Sequence, residues 1–206
     1  MIDNFDLLSE RLILLKNGDF FPIIVIKRRK DNPEMSKGAQ IIYRTNISNI
    51  DEYNHIKEKL IDICKKNNAR AYIKINKRNN KEISENLVRY VVDKHLINEY
   101  DKMQHAYDHI IGITFVKKGK YYQIDVDTNI PINPHTNPLV IKILQKLTEF
   151  KGKKMADGDI IMVPTKTGLH ILAPAFDIGS FKKEVEQDIN TTYDIKQDAE
   201  TVLYIP

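Results

Sequence analysis

The stretch KYYQIDVDTNI, residues 120–130, sets two carboxylates, Asp125 and Asp127, two positions apart inside an apolar and aromatic run. In a strand, residues i and i+2 share a face, so both carboxylates would point the same way. Like charges held side by side repel, and burying them is costly unless something positive lies between them. The fold must bring positive charge to one face of this strand.

The rest of the chain narrows the setting. A length of 206 residues suits one solid domain, or a core with a smaller N-terminal module. With 42% hydrophobic and 29% charged residues the composition is that of a globular protein, which argues against disorder. A net charge of +4 permits a polyanionic partner without demanding one. The N-terminal MIDNFDLLSERLILL mixes acids with apolar residues and lacks the basic start of a signal peptide. No apolar run approaches the roughly 18 residues of a membrane span, so no membrane partner is expected. Cys64, the single cysteine, excludes a disulfide framework and a cysteine-built zinc site, and a reduced, cytoplasmic setting is expected.

Periodicity places the elements. Residues 5–16 read as a short helix, IIVI (23–26) as a buried strand, and AQIIYRTNI (39–47) as a second strand. SNIDEYNHIKEKLIDICKKNN reads as a helix with a Ser or Asn cap and lysines at its C-terminal end. ARAYIKINKR alternates as a strand, with Ala71, Ile73 and Ile75 on one face. Residues 81–110 read as one long helix or two short ones. IGITFVKKGKYYQIDVDT reads as a hairpin around Lys118–Gly119, and Asn137-Pro138 opens an amphipathic helix. Two strands, 159–163 and 169–173, flank a polar turn; a helix capped by Ser180 and a last strand, AETVLYIP, close the chain. The expected organisation is an N-terminal α/β module over 1–110 and an α+β half over 111–206, packed as one compact unit.

Hard divalent cations prefer carboxylate oxygens, and Asp-x-Asp on a strand presents two of them. Such pairs hold Mg²⁺ or Mn²⁺ in two-ion polymerase and nuclease sites; Asp-x-Asp also occurs in glycosyltransferases and in solvated turns. The second piece is VPTKTGLH. Thr165, Lys166, Thr167 and Gly168 form a hydroxyl-rich, basic turn, with His170 on the strand that follows. Turn amides, two hydroxyls and a lysine can cradle phosphate. The plain alternative is a tight hairpin with a half-buried histidine.

Together QIDVDT and PTKTGLHIL resemble the first two motifs of the archaeo-eukaryotic primase (primase-polymerase) superfamily, of the small phage or mobile-element type. Those motifs are Asp-x-Asp and Ser/Thr-Gly-x-His, and the resemblance covers residues from about 111 to the C-terminus. It implies an RRM-like antiparallel or mixed sheet as catalytic core, with the N-terminal α/β module packed against it. It implies a two-ion Mg²⁺ or Mn²⁺ site on Asp125 and Asp127, completed by a third acid on a later strand. Asp194, which follows Tyr193, is preferred for that acid; Asp198 is the alternative, and Asp177 lies too close to the second motif. Thr165, Lys166, Thr167 and Gly168 would bind the nucleotide, Lys166 and Thr167 at its phosphate tail, and His170 would donate to a triphosphate oxygen. The implied activity is transfer of nucleotides from nucleoside triphosphates to a 3′-hydroxyl on a single-stranded nucleic acid template. The chain carries no cysteine-rich module or helicase, so a separate helicase is an expected partner.

The first half adds two basic clusters: Lys27, Arg28, Arg29 and Lys30, and Tyr72 with Lys74, Lys77 and Arg78. Both suit template phosphates and stacked bases. Each alone is equally a solvated edge that discourages strand aggregation. Three other readings stay open: a catalytically inactive nucleic-acid-binding protein on the same fold; a metal-dependent nuclease, less favoured because no Glu-x-Lys follows on a neighbouring strand; and a protein whose Asp-x-Asp is merely a solvated strand end.

Overall fold

The structure, a computed structural model, describes residues 1–11, 15–36, 38–127, 136–149, 159–188 and 193–206. It is a mixed α and β fold with antiparallel sheets. Among the described residues no helix is long and apolar enough to cross a membrane.

The first sheet has β1 (Ile2–Asp3), β2 (Asp19–Arg28), β3 (Ala39–Ile47), β4 (Arg70–Lys74), β5 (Arg78–Asn79) and β10 (Glu200–Ile205). Its order is β1-β10-β4-β2-β3, with β5 pairing the start of β2. Helices α1 (Phe5–Arg11) and α2 (Ile50–Asn67) cover one face. Asn49, not Ser48, caps α2: its side chain accepts the Glu52 amide at 2.8 Å, while the Glu52 carboxylate accepts the Ser48 amide at 2.7 Å. Tyr53, Leu60 and Cys64 follow at helical spacing and enter the core beside Ile23, Val25, Ala71 and Ile73. Burial pushes the Cys64 thiol up to about 12.

The second sheet has β6 (Tyr121–Asp127), β7 (Ile161–Pro164), β8 (Gly168–Pro174) and β9 (Tyr193–Lys196), ordered β7-β8-β6-β9. Helices α6 (Pro138–Glu149) and α7 (Ile178–Asp188) cross between its strands. The chain order from β6 to β9 is thus β-α-β-β-α-β, with the outer pair of strands last and second in sequence. Alternation puts Tyr122, Ile124 and Val126 against Val140, Ile143, Leu147, Phe181 and Val185 of those helices. The opposite face carries Gln123, Asp125 and Asp127. On that face Ile161, Val163 and Leu172 belong to the core of the first sheet, so the two sheets share one apolar body. The part bearing Asp125 stays open.

Three expectations are corrected. No hairpin forms around Lys118–Gly119: residues 111–113 end α5 (Ala106–Ile113), and β6 pairs with β8 and β9 instead. Ile110 is buried beside Phe20 and Ile83, which outweighs the strand-like look of the segment. The region read as one or two helices is three, α3 (Asn80–Leu96), α4 (Tyr100–Met103) and α5. Asp177, not Ser180, caps α7: its carboxylate accepts from the Ser180 amide at 3.2 Å and the Ser180 hydroxyl at 3.0 Å. β10, from the end of the chain, returns to lie between β1 and β4 in the first sheet.

Asn76 and Arg78 pin the junction. Asn76 donates to the Tyr121 and Gln197 carbonyls, both at 3.0 Å, and accepts the Tyr121 amide at 2.7 Å. Arg78 is fully buried and grips Asp198 through both terminal nitrogens, at 3.0 and 2.6 Å. These contacts fix the start of β6 and the crossing from β9 to β10.

Candidate functional site

Register assembles the site. Asp125 lies directly opposite His170 on β8 and directly opposite Asp194 on β9. Residues paired across an antiparallel sheet project from the same face. His170, Asp125 and Asp194 therefore form one row across three strands, and Asp127 shares their face one step along β6. A cleft of about 430 Å³ opens over this face; Arg28 and Tyr72 from the first sheet and Lys30 just after β2 line it, as do Lys166 and Lys196.

Positive charge comes to Asp125 from the protein itself. The Lys196 ammonium, on β9 two residues after Asp194, is 2.8 Å from one Asp125 oxygen and 3.7 Å from Asp194. His170 Nε2 is 3.4 Å from the other Asp125 oxygen. Burial would raise the Asp125 carboxyl, but hydrogen bonds and charge from His170 and Lys196 outweigh it and hold the group at about 2. Lys196 is pulled down by burial and pushed up more strongly by Asp125, Asp194 and Asp127, for a net rise. His170 is buried, and its Nδ1 lies 3.0 Å from the hydroxyl of Thr201, a fully buried residue of β10.

The 165–168 turn is tighter than a loose cradle. The Thr165 amide donates to the Gly168 carbonyl at 3.0 Å, so it is spent within the turn. Gly168 is required by close approach: a Cβ there would stand 2.1 Å from the Val126 carbonyl oxygen. Removing that Cβ lets β8 lie against β6 where Asp127 ends the strand. Lys166 is 59% exposed and 3.5 Å from Asp31, at the cleft mouth with Thr165 and Thr167. Asp31 in turn pairs with buried Arg70 at 2.6 Å, so this turn is held to the segment after β2.

The basic clusters divide. Arg28 lines the cleft and donates to the Tyr72 hydroxyl at 3.2 Å. Lys27 pairs with Glu34 at 3.1 Å, and neither it nor exposed Arg29 lines the cleft. Lys74 pairs with Glu200 at 2.6 Å, Lys77 with Asp19 at 2.5 Å, and Arg78 is buried on Asp198. Each of those three cations is engaged in an ion pair within the fold. Asp198, the alternative third acid, lines the cleft but is held by Arg78 and Lys74, whereas Asp194 is the cross-strand partner of Asp125, is 66% exposed and stands outside the cleft lining. Asp177 is used as a helix cap.

Three residues of the site went unnoticed in the sequence. Gln123 is 1% exposed, shares the face of Asp125 and lines the cleft, with its carbonyl oxygen unpartnered among the described residues. The same period-two alternation that singled out Asp127 points back to it. Lys196 follows Asp194 by the same interval. Thr201 gave no signal, because it comes from the other sheet.

The donor chemistry suits a hard divalent cation: two carboxylates on one strand, a third opposite, and an ammonium already drawn among them. As the side chains stand, no three metal-ligating groups among the described residues gather closely enough to hold an ion. Comparison with protein-family models, with curated proteins and with solved structures finds no match.

Proposed function

We propose that this chain is a metal-dependent nucleotidyltransferase of the primase-polymerase kind, with the β6–β9 unit as its RRM-like catalytic core. The observation that carries the reading is the row His170–Asp125–Asp194, with Asp127 beside it and the Thr165–Gly168 turn at its edge. Asp125, Asp127 and Asp194 would hold Mg²⁺ or Mn²⁺, which supply charge neutralisation for a bound triphosphate. The chain's own residues do the rest. His170 presents Nε2 into the cleft and can donate to a phosphate oxygen. Lys166 and the Thr165 and Thr167 side chains stand where a phosphate tail would enter. Arg28 and Lys30 give the opposite wall the charge that a template backbone selects. Catalysis on this plan is mainly positioning and electrostatics.

Lys196 favours a second reading, a nucleic-acid-binding protein without catalysis, because its ammonium neutralises Asp125 with no ion present. The deciding experiment is Mg²⁺- and Mn²⁺-dependent incorporation of labelled nucleotides on primed and unprimed single-stranded templates. Wild-type incorporation that Asp125→Ala/Asp127→Ala loses supports the enzyme. Template binding with no incorporation under either metal supports the second reading.

A further inference from the structure

The contact between His170 and Thr201 joins the two sheets at the site. Thr201 is on β10, opposite Ile73 of β4, in the first sheet. Its side chain is fully buried, and its hydroxyl is 3.0 Å from His170 Nδ1. The other ring nitrogen faces the Asp125 carboxylate, which can only accept a hydrogen bond. A neutral imidazole carries one N–H, and the partner of one nitrogen decides where that hydrogen sits. A hydrogen on Nδ1 would turn the Nε2 lone pair towards the Asp125 oxygen, an acceptor facing an acceptor. A hydrogen on Nε2 leaves the Nδ1 lone pair to accept from the Thr201 hydroxyl, and both nitrogens are satisfied.

We propose that Thr201 is a positioning residue that holds His170 in the Nε2–H form, so that the N–H facing the cleft serves as a donor to an anionic oxygen of the ligand. This assignment rests on the nucleotidyltransferase reading for the identity of that ligand, but not for the tautomer itself. It also gives the first sheet a part in the chemistry. Thr201 follows Asp198 by three residues, so the Arg78–Asp198 pin and the Thr201 hydroxyl hold neighbouring points of the same segment.

The test reads the hydrogen directly. Ring ¹⁵N chemical shifts of His170 in the ligand-free chain, read at a pH where the ring is neutral, should give a protonated Nε2 and a bare Nδ1. Thr201→Val, nearly isosteric, should lose that preference and give a mixture of tautomers. Thr201→Ser should keep it. In the incorporation assay, Thr201→Val should raise the KM for nucleotide about 5- to 10-fold while Thr201→Ser stays near wild type. A hydrogen found on Nδ1 of the wild-type protein overturns the assignment without any variant. An unchanged tautomer and KM in a folded Thr201→Val protein overturn it as well. If the protein incorporates no nucleotide, the ring shifts still decide the Thr201 assignment while the enzyme reading alone fails.

Discussion

Replacing Arg78 with methionine should be a costly single change. The Arg78 side chain is fully buried and donates to the Ile111 carbonyl at 2.9 Å, the Asn76 carbonyl at 2.7 Å and both Asp198 oxygens. Methionine fills much of the volume but donates nothing. Two carbonyls then lose their partner, and the Asp198 carboxylate, 12% exposed, keeps only Asn76 and a Lys74 ammonium 3.7 Å away. Breaking a buried pair from one side costs about 3–5 kcal/mol. With a urea m-value of about 2 kcal/mol/M, the unfolding midpoint should fall by roughly 2 M. Asp198→Leu added to Arg78→Met should recover part of this loss, because the stranded carboxylate goes too. Equilibrium urea unfolding by circular dichroism makes the comparison. A midpoint that moves by less than about 0.5 M in Arg78→Met would refute the reasoning, since the pair would then contribute no more than a surface bridge.

Gly168→Ala should destabilise by about 1–3 kcal/mol and shift the Asp127 amide resonance, because its Cβ would meet the Val126 carbonyl; thermal unfolding and an amide spectrum check both. Asp125 has a depressed folded pKa, so its contribution of about 2 kcal/mol is present above its unfolded value near 4 and is lost as pH falls through about 2. The acid limb of unfolding for Asp125→Asn should be flatter than wild type across that window. Lys196→Met should raise the Asp125 carboxyl, read by side-chain ¹³C titration; no change would mean that His170 alone holds it. Cys64 should resist a thiol reagent in the native protein and react on unfolding, because burial holds its thiol near 12.

Much of this fold was legible where local pattern and final environment agree. AQIIYRTNI coincides with β3, and the two apolar runs around VPTKTG became β7 and β8, because a short polar turn leaves neighbouring strands one pairing. The Asp125–His170 relation was legible through motif spacing; the third acid was not, because Asp194 is the cross-strand partner of Asp125 while Asp198 is the one that lines the cleft. The misreadings share a cause: they depended on distant contacts. Ile111–Ile113 look like a strand until Phe20 and Ile83 bury Ile110 as part of a helix. AETVLYIP announces a strand but not its neighbours β1 and β4. Arg78 reads as a surface cation until Asp198 appears beside it from 120 residues away. Lys196 and Thr201 act on Asp125 and His170 from separate strands; the two-residue interval after Asp194 marks Lys196, and nothing local marks Thr201.

The site itself is tested most directly by titrating Mn²⁺ with a non-hydrolysable nucleoside triphosphate and reading free Mn²⁺ by electron paramagnetic resonance. The account predicts that wild-type protein depletes the free-ion signal in the presence of the nucleotide, beyond what the nucleotide does alone. It predicts that Asp125→Ala/Asp194→Ala, with its fold intact, does not. Equal depletion by both proteins, or none by either, would contradict a cation site built on that row of acids.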